Sequence, residues 1–198
     1  MAGVVESVGR NVTRFKPGDA VFGDLSRFGS GGFGGFAEYV CARETSLVMK
    51  PERMTFEQAA SIPQAGMLAM QGLHAGGPLR SGQKILINGA GGGVGTFAIQ
   101  LAKLQNVEVT GVDSAEKLDM LRSLGFDHVI DYAKEDFTRS GERYDLILDT
   151  KTNRPPSRSP RRGPRDRPHL SLESHVRPPR GRRRSRGAVA RRGRPPDA

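Results

Sequence analysis

An apolar strand that breaks into a glycine-dense turn and resumes as a helix constrains this chain more than any other feature. Ile85, Leu86, Ile87 and Asn88 run into Gly89-Ala90-Gly91-Gly92-Gly93-Val94-Gly95, and Thr96 to Ala102 follows with helical apolar spacing. Glycines at such a point allow a tight turn, bring backbone N–H groups close to a ligand and let the helix pack against the strand. The stretch fits the pattern G-x-G-x-x-G with alanine in first place: Ala90, Gly92 and Gly95. Alone that pattern is weak; between a strand and a helix it points to the pyrophosphate of a dinucleotide. A turn that serves packing alone is the plainer alternative.

The pattern also calls for an acidic residue about 20 positions on, at the end of the next strand. Asp113 stands there, after Glu108-Val109-Thr110-Gly111-Val112. Its carboxylate would accept a hydrogen bond from an adenosine ribose hydroxyl and repel a 2′-phosphate; it also fits a helix N-cap, and the two roles are compatible. Lys117, four residues on, fits either the adenosine end of a cofactor or a solvated helix position.

Residues 83–150 alternate strand and helix. Strands are expected at 84–88, 107–112, 128–131 and 144–149, helices near 93–104 and 115–124, and a weaker turn near 134–139. Such alternation predicts a parallel sheet with covering helices. Residues 2–50 read instead as short strands: Ala2–Val8, Asp19–Gly23 and Phe36–Ala42, with a turn at Lys16-Pro17-Gly18-Asp19. Phe28–Phe36, rich in glycine and phenylalanine, reads as a long loop entering the third strand rather than as a sticky low-complexity segment. Thr55 caps a helix, and Pro63 starts another whose apolar positions include Met67, Leu68 and Met70. The methionines read as core filler.

The net charge of +10 is unevenly spread. Residues 1–150 carry 15 Lys+Arg against 18 Asp+Glu, and residues 151–198 carry 16 against 3. The body is thus a slightly acidic globular sequence and the excess charge is all in the tail. A single cysteine, Cys41, excludes an internal disulfide and a zinc site built from several cysteines; it reads as a small buried hydrophobe in a strand. His74, His128, His169 and His175 have no metal-ligand spacing. No run of residues approaches a membrane span, and the first residues lack a signal peptide's basic and apolar regions, so a cytoplasmic setting is expected.

Residues 2 to about 153 resemble the medium-chain dehydrogenase/reductase superfamily, in its zinc-independent quinone oxidoreductase-like branch. The matching pieces occur in family order: Ala2–Gly9, Phe15–Gly23, Gly35–Tyr39, the glycine turn 89–95, and Gly125–Tyr132. The resemblance implies an α/β protein: a partial chaperonin-10-like β domain with linking helices over 1–79, then the first half of a Rossmann domain over 80–153. It implies an NAD(P)H-dependent oxidoreductase that reduces a quinone, an enone or a related carbonyl compound. In such an enzyme the cofactor carries the hydride chemistry, and the protein positions cofactor and substrate.

Carried over by position, the cofactor-binding residues are Ala90 at the head of the turn, Gly91, Gly92, Gly93, Val94 and Gly95 with their backbone on the pyrophosphate, Asp113 on the ribose, and Lys117 and Tyr132 in a secondary role at the adenosine end. Asp113 leans to NAD, whereas Lys117 and Tyr132 are NADP-like; the balance leans slightly to NAD. Gln64 stands about where zinc-containing relatives have a cysteine ligand, and their cysteine-rich structural-zinc lobe has no counterpart here, so no metal is expected; Leu68 stands where many relatives have a threonine near the nicotinamide, so that contact is not expected. No general acid is assigned. Family members are usually homodimers.

The family has some 60 residues ahead of the position of Ala2 and more than 100 beyond that of Thr152, so the chain is expected to be a fragment, sparingly soluble, with weak adenosine-side binding and no turnover. Residues 154–198 hold 15 Arg and 9 Pro and no Lys, Phe, Tyr, Ile, Met or Asn, and are expected to be disordered. Three readings apply to this tail. Its abrupt loss of residues with AT-rich codons favours off-frame translation. Its arginines, including the serine–arginine-like run Ser157–Arg162, are the chain's one route to nucleic acid, a non-catalytic alternative. It is otherwise an inert extension.

Overall fold

The structure, a computed structural model, describes residues 1–25 and 35–151 and the backbone of two short strands, 170–171 and 188–191. The remainder of the tail, with Ser157–Arg162, His169 and His175, and most of the loop expected at Phe28–Phe36, lie outside the described residues. Two compact units result, Met1–Gln64 with Arg177–Ala198, and Ala65–Val176.

The first unit holds β1 (Ala2–Ser7), β2 (Ala20–Gly23), β3 (Tyr39–Ala42), a 3₁₀ turn (Glu44–Ser46), β4 (Leu47–Met49) and α1 (Phe56–Ser61). The turn at residues 16–19 forms as expected: Gly18 N–H donates to Val5 O and Val5 N–H to Asp19 O, both at 2.9 Å. Val5, Phe15, Val21, Ala42 and Leu47 make the core. The side chain of Cys41 points the other way. Burial alternates along β3, so Ala42 faces the core and Cys41 is exposed, which corrects the expectation of a buried thiol.

α1 begins with a capping box. Gln58 N–H donates to Thr55 Oγ1 at 3.2 Å, and Thr55 N–H to Gln58 Oε1 at 3.0 Å. Thr55→Ala is expected to lower stability by about 1 kcal/mol, a loss that urea unfolding would register.

The second unit contains α2 (Pro63–His74, from Ala65 on), β5 (Lys84–Asn88), α3 (Gly93–Lys103), β6 (Glu108–Asp113), a 3₁₀ turn (Ala115–Lys117) that leads into α4 (Leu118–Ser123), β7 (His128–Asp131), a 3₁₀ turn (Phe137–Arg139) and β8 (Leu146–Asp149). Alternate residues of β5 pack on opposite faces of its sheet. Ile85 and Ile87 join Leu73, Ile99, Val109 and Leu148, while Leu86 joins Val112, Tyr144 and Ile147. Covered on both faces, the strands read as continuous apolar runs. α2 turns Ala69, Gly72 and Leu73 inward; Met70, just off that buried side, is 53% exposed and is not core filler.

Two short strands, β9 (Leu170–Ser171) and β10 (Ala188–Arg191), fall within the tail expected to be disordered. β9 pairs parallel to β8, and β10 pairs antiparallel to both β1 and β3. The run Ala188-Val189-Ala190 can do this because it offers backbone donors and acceptors to two strands that otherwise lack a partner between them. The resulting sheets run β3-β10-β1-β2-β4 and β7-β6-β5-β8-β9. In the second, every pairing is parallel, and the chain steps outward from β5 to β7 before returning to the other side of β5 as β8. The reversal leaves a crevice at the carboxyl ends of the strands, where open α/β sheets bind ligands.

Candidate functional site

The glycine turn follows β5 at that crevice. Gly89 and Ala90 N–H both donate to Val112 O, at 2.9 and 3.1 Å, so the turn is fastened to the end of β6. α3 then starts at Gly93, and its first bond to a carbonyl four residues back runs from Thr96 N–H to Gly92 O at 3.0 Å. The amides of Gly93, Val94 and Gly95 precede that bond and head the helix without an intrahelical acceptor, the arrangement that suits an anion.

Asp113, the last residue of β6, lies beside the turn with its side chain 5% exposed. Gly91 N–H donates to Oδ2 at 2.7 Å and Ser114 N–H to Oδ1 at 2.9 Å, and Lys117 Nζ lies 3.3 Å from Oδ1. Burial pushes the carboxyl up, but the two backbone N–H donors and the Lys117 ammonium outweigh it and hold Asp113 below the ordinary aspartate value. Asp113 is not the N-cap residue: Ser114 takes that position ahead of the 3₁₀ turn. A Cβ on Gly91 would sit 2.5 Å from Lys117 Cδ and 3.0 Å from Asp113 Oδ2, so the absence of a side chain there is what lets the pair close over the turn.

Two of the amides expected to face a pyrophosphate already donate within the protein, Gly91 to Asp113 and Gly92 to Gly89 O at 3.1 Å. Gly93, Val94 and Gly95 remain. Lys117 and Tyr132 join Asp113 in lining a cavity of about 330 Å³. Tyr132 is half exposed, and its N–H donates to Asp113 O at 3.3 Å.

The cavity has further walls that sequence reasoning missed: Asn88, Ser114, Glu116, Phe137 and Lys151. Asn88 carried one signal, being the polar residue that ends an otherwise apolar strand. Its Nδ2 donates to Asp149 Oδ1 at 3.0 Å, and Thr150 Oγ1 donates to Asn88 O at 2.8 Å, so the ends of β5 and β8 are tied together. His128 pairs with Glu108 Oε1 at 3.1 Å, away from these walls.

Two family profiles match the chain. One, described as an alcohol dehydrogenase GroES-like domain, covers residues 1–52; the other, described as a zinc-binding dehydrogenase, covers 93–156. The chain is 40% identical over 155 residues to a 2-methylene-furan-3-one reductase of Solanum lycopersicum, covering 76% of this chain and 40% of that protein. It is also 40% identical over 154 residues to the chloroplastic NADPH-dependent alkenal/one oxidoreductase of Arabidopsis thaliana, covering 75% and 40%. Among solved structures, the quinone oxidoreductase from Coxiella burnetii superposes with a TM-score of 0.69 at 35% identity, over 76% of this chain and 47% of that one. The chain belongs to the medium-chain dehydrogenase/reductase superfamily.

It spans less than half the length of these superfamily relatives. The paired profiles and the parallel sheet establish a GroES-like part followed by a Rossmann-like part. Among the described residues no group of three or more His, Cys, Asp or Glu side chains could hold a metal ion. The described residues do fit part of a nicotinamide dinucleotide: Asp113, Lys117, Tyr132 and Lys151 line one cavity at the strand ends, and the amides of Gly93, Val94 and Gly95 head the helix that leaves the adjoining turn. Among the described residues no helix is long and apolar enough to cross a membrane.

Proposed function

We propose that this chain serves NAD(P)H-dependent reduction of a small quinone, enone or related carbonyl compound, without zinc. The observation that carries the reading is a cavity lined by Asp113, Lys117 and Tyr132 at the carboxyl ends of a parallel sheet, beside a glycine turn whose helix is headed by the amides of Gly93, Val94 and Gly95. The quinone oxidoreductase and alkenal/one oxidoreductase relatives support the same substrate class. When bound, the nicotinamide supplies the hydride.

The protein's part is to bind and orient. The three amides and the helix dipole would hold the pyrophosphate. Asp113 fixes the shape of the turn through Gly91 and would accept a hydrogen bond from a ribose hydroxyl. Lys117 and Tyr132 border the adenosine end.

Asp113 supports NAD over NADP, because a carboxylate beside a phosphate dianion is unfavourable. Lys117, 3.3 Å from that carboxylate, offsets part of the repulsion, so the preference is expected to be small.

The test is titration of the full chain with NADH and NADPH, read by nicotinamide fluorescence, followed by oxidation of the bound cofactor on adding a quinone or an enone. Binding of at least one dinucleotide is expected, and oxidation on adding substrate would overturn the expectation that this chain does not turn over. Failure to bind either dinucleotide would remove the reading.

A further inference from the structure

Lys151 has no role in the sequence pattern, yet it reaches the cavity from the opposite side to Lys117. Its backbone is held by the tie between β5 and β8: Lys151 N–H donates to Asp149 Oδ1 at 2.9 Å, the same oxygen that accepts from Asn88 Nδ2. Its side chain runs along Gly89, where a Cβ would lie 2.8 Å from Lys151 Cγ and 3.4 Å from Cε. The ammonium is thereby carried across the first residue of the glycine turn.

The two lysines of the cavity differ in their electrostatics. Lys117 is paired with Asp113 at 3.3 Å. Lys151 Nζ has no carboxylate within ion-pair distance among the described residues. An unneutralised ammonium over a turn that presents helix-heading amides is a place for an anion, and neither a ribose nor a base ring supplies one.

We propose that Lys151 binds the pyrophosphate of the dinucleotide as its cationic contact, the amides of Gly93 to Gly95 holding the same group from the helix end. The inference rests on the dinucleotide reading above and adds to it a residue that the family pattern does not assign.

The test compares the full chain with Lys151→Met and Lys151→Arg, titrated calorimetrically with NAD⁺, NADP⁺, ADP and adenosine. Lys151→Met should weaken NAD⁺, NADP⁺ and ADP alike, by about tenfold for one lost charge-assisted contact at a partly solvated site, and leave adenosine unchanged. Lys151→Arg should restore most of the affinity. Thermal unfolding of both variants should match the parent chain, since the ammonium holds no described partner.

A loss confined to NADP⁺ would place Lys151 at the 2′-phosphate and overturn the proposal. Unchanged affinities would overturn it as well, as would adenosine weakening in step with ADP, which would mark a structural role. If the parent chain binds ADP and dinucleotides while Lys151→Met has no effect, this assignment alone fails. If the parent chain binds neither dinucleotide, the proposed function fails with it.

Discussion

Gly95→Ala is expected to abolish measurable dinucleotide binding and to destabilise the parallel-sheet unit by about 3 kcal/mol, the upper part of the usual range for overpacking. A Cβ at position 95 would land on the carbonyl oxygen, carbonyl carbon and Cα of Ala90. These are backbone atoms and cannot rotate aside. Nor can Ala90 retreat, being fully buried with its N–H fastened to Val112 O at 3.1 Å. The first turn of α3 must therefore lift away from β5, carrying the amides of Gly93 and Val94 with it. Gly93→Ala is the control. A Cβ there would meet only Ala65 Cβ at 3.4 Å, an ordinary contact, and stability should stay within about 0.5 kcal/mol of the parent. Urea unfolding gives the stabilities and calorimetry with ADP gives the binding. Equal behaviour of the two variants would show that close approach at residue 95 is not what holds the turn.

This contrast explains why the turn was legible in the sequence and its neighbourhood was not. A strand, a glycine cluster and an amphipathic helix are local patterns, and the boundaries expected for β5 and α3 agree with the structure to within a residue. Asp113 was found because a fixed spacing along one chain segment carries it to the end of β6. Lys151 had no comparable signal. Its place depends on which residue of β8 lies opposite Asn88, and that register, Asn88 to Asp149, is a long-range pairing that no local pattern encodes.

Burial of individual side chains was misjudged for the same reason. Cys41 is apolar enough for a core and sits in a strand, but the phase of the alternation, with Ala42 inward, is set by the sheet as a whole. Met70 is one residue off the buried side of α2, where Ala69 and Leu73 already fill the contact. In the arginine–proline tail, composition predicts no core, and composition does not register a three-residue apolar run that finds two strands needing backbone partners.

Asp113→Ala is expected to lower stability near neutral pH by about 2 kcal/mol, the scale for buried donors that lose a charged acceptor. Gly91 N–H and Ser114 N–H would both lose their carboxylate oxygen, and Lys117 its counter-ion. The effect should depend on pH in a definite sense. Asp113 is held below the ordinary value of 3.8 in the folded chain. Folding therefore favours its charged form, and the stabilisation is complete at pH values above the unfolded value. It is lost as pH falls through the folded value. The stability gap between the parent chain and Asp113→Ala should accordingly be flat from neutral pH down to the ordinary carboxylate range and close below it. Asp113→Asn keeps one acceptor oxygen for Gly91 N–H but not the attraction to Lys117, so near neutral pH it should fall between the two, and its own margin over Asp113→Ala should not change with pH in this range.

Ligand affinity separates the two duties of this side chain. If Asp113 acts mainly by shaping the turn, Asp113→Ala weakens ADP and NAD⁺ together and Asp113→Asn recovers much of both. If it acts mainly on the ribose, repulsion of a 2′-phosphate disappears in both variants and NADP⁺ gains on NAD⁺. The geometry favours the first outcome, because Oδ2 already accepts from Gly91 at 2.7 Å and the side chain is almost wholly buried. An Asp113→Ala chain with unaltered unfolding and unaltered ADP affinity would show that the glycine turn keeps its shape without the carboxylate.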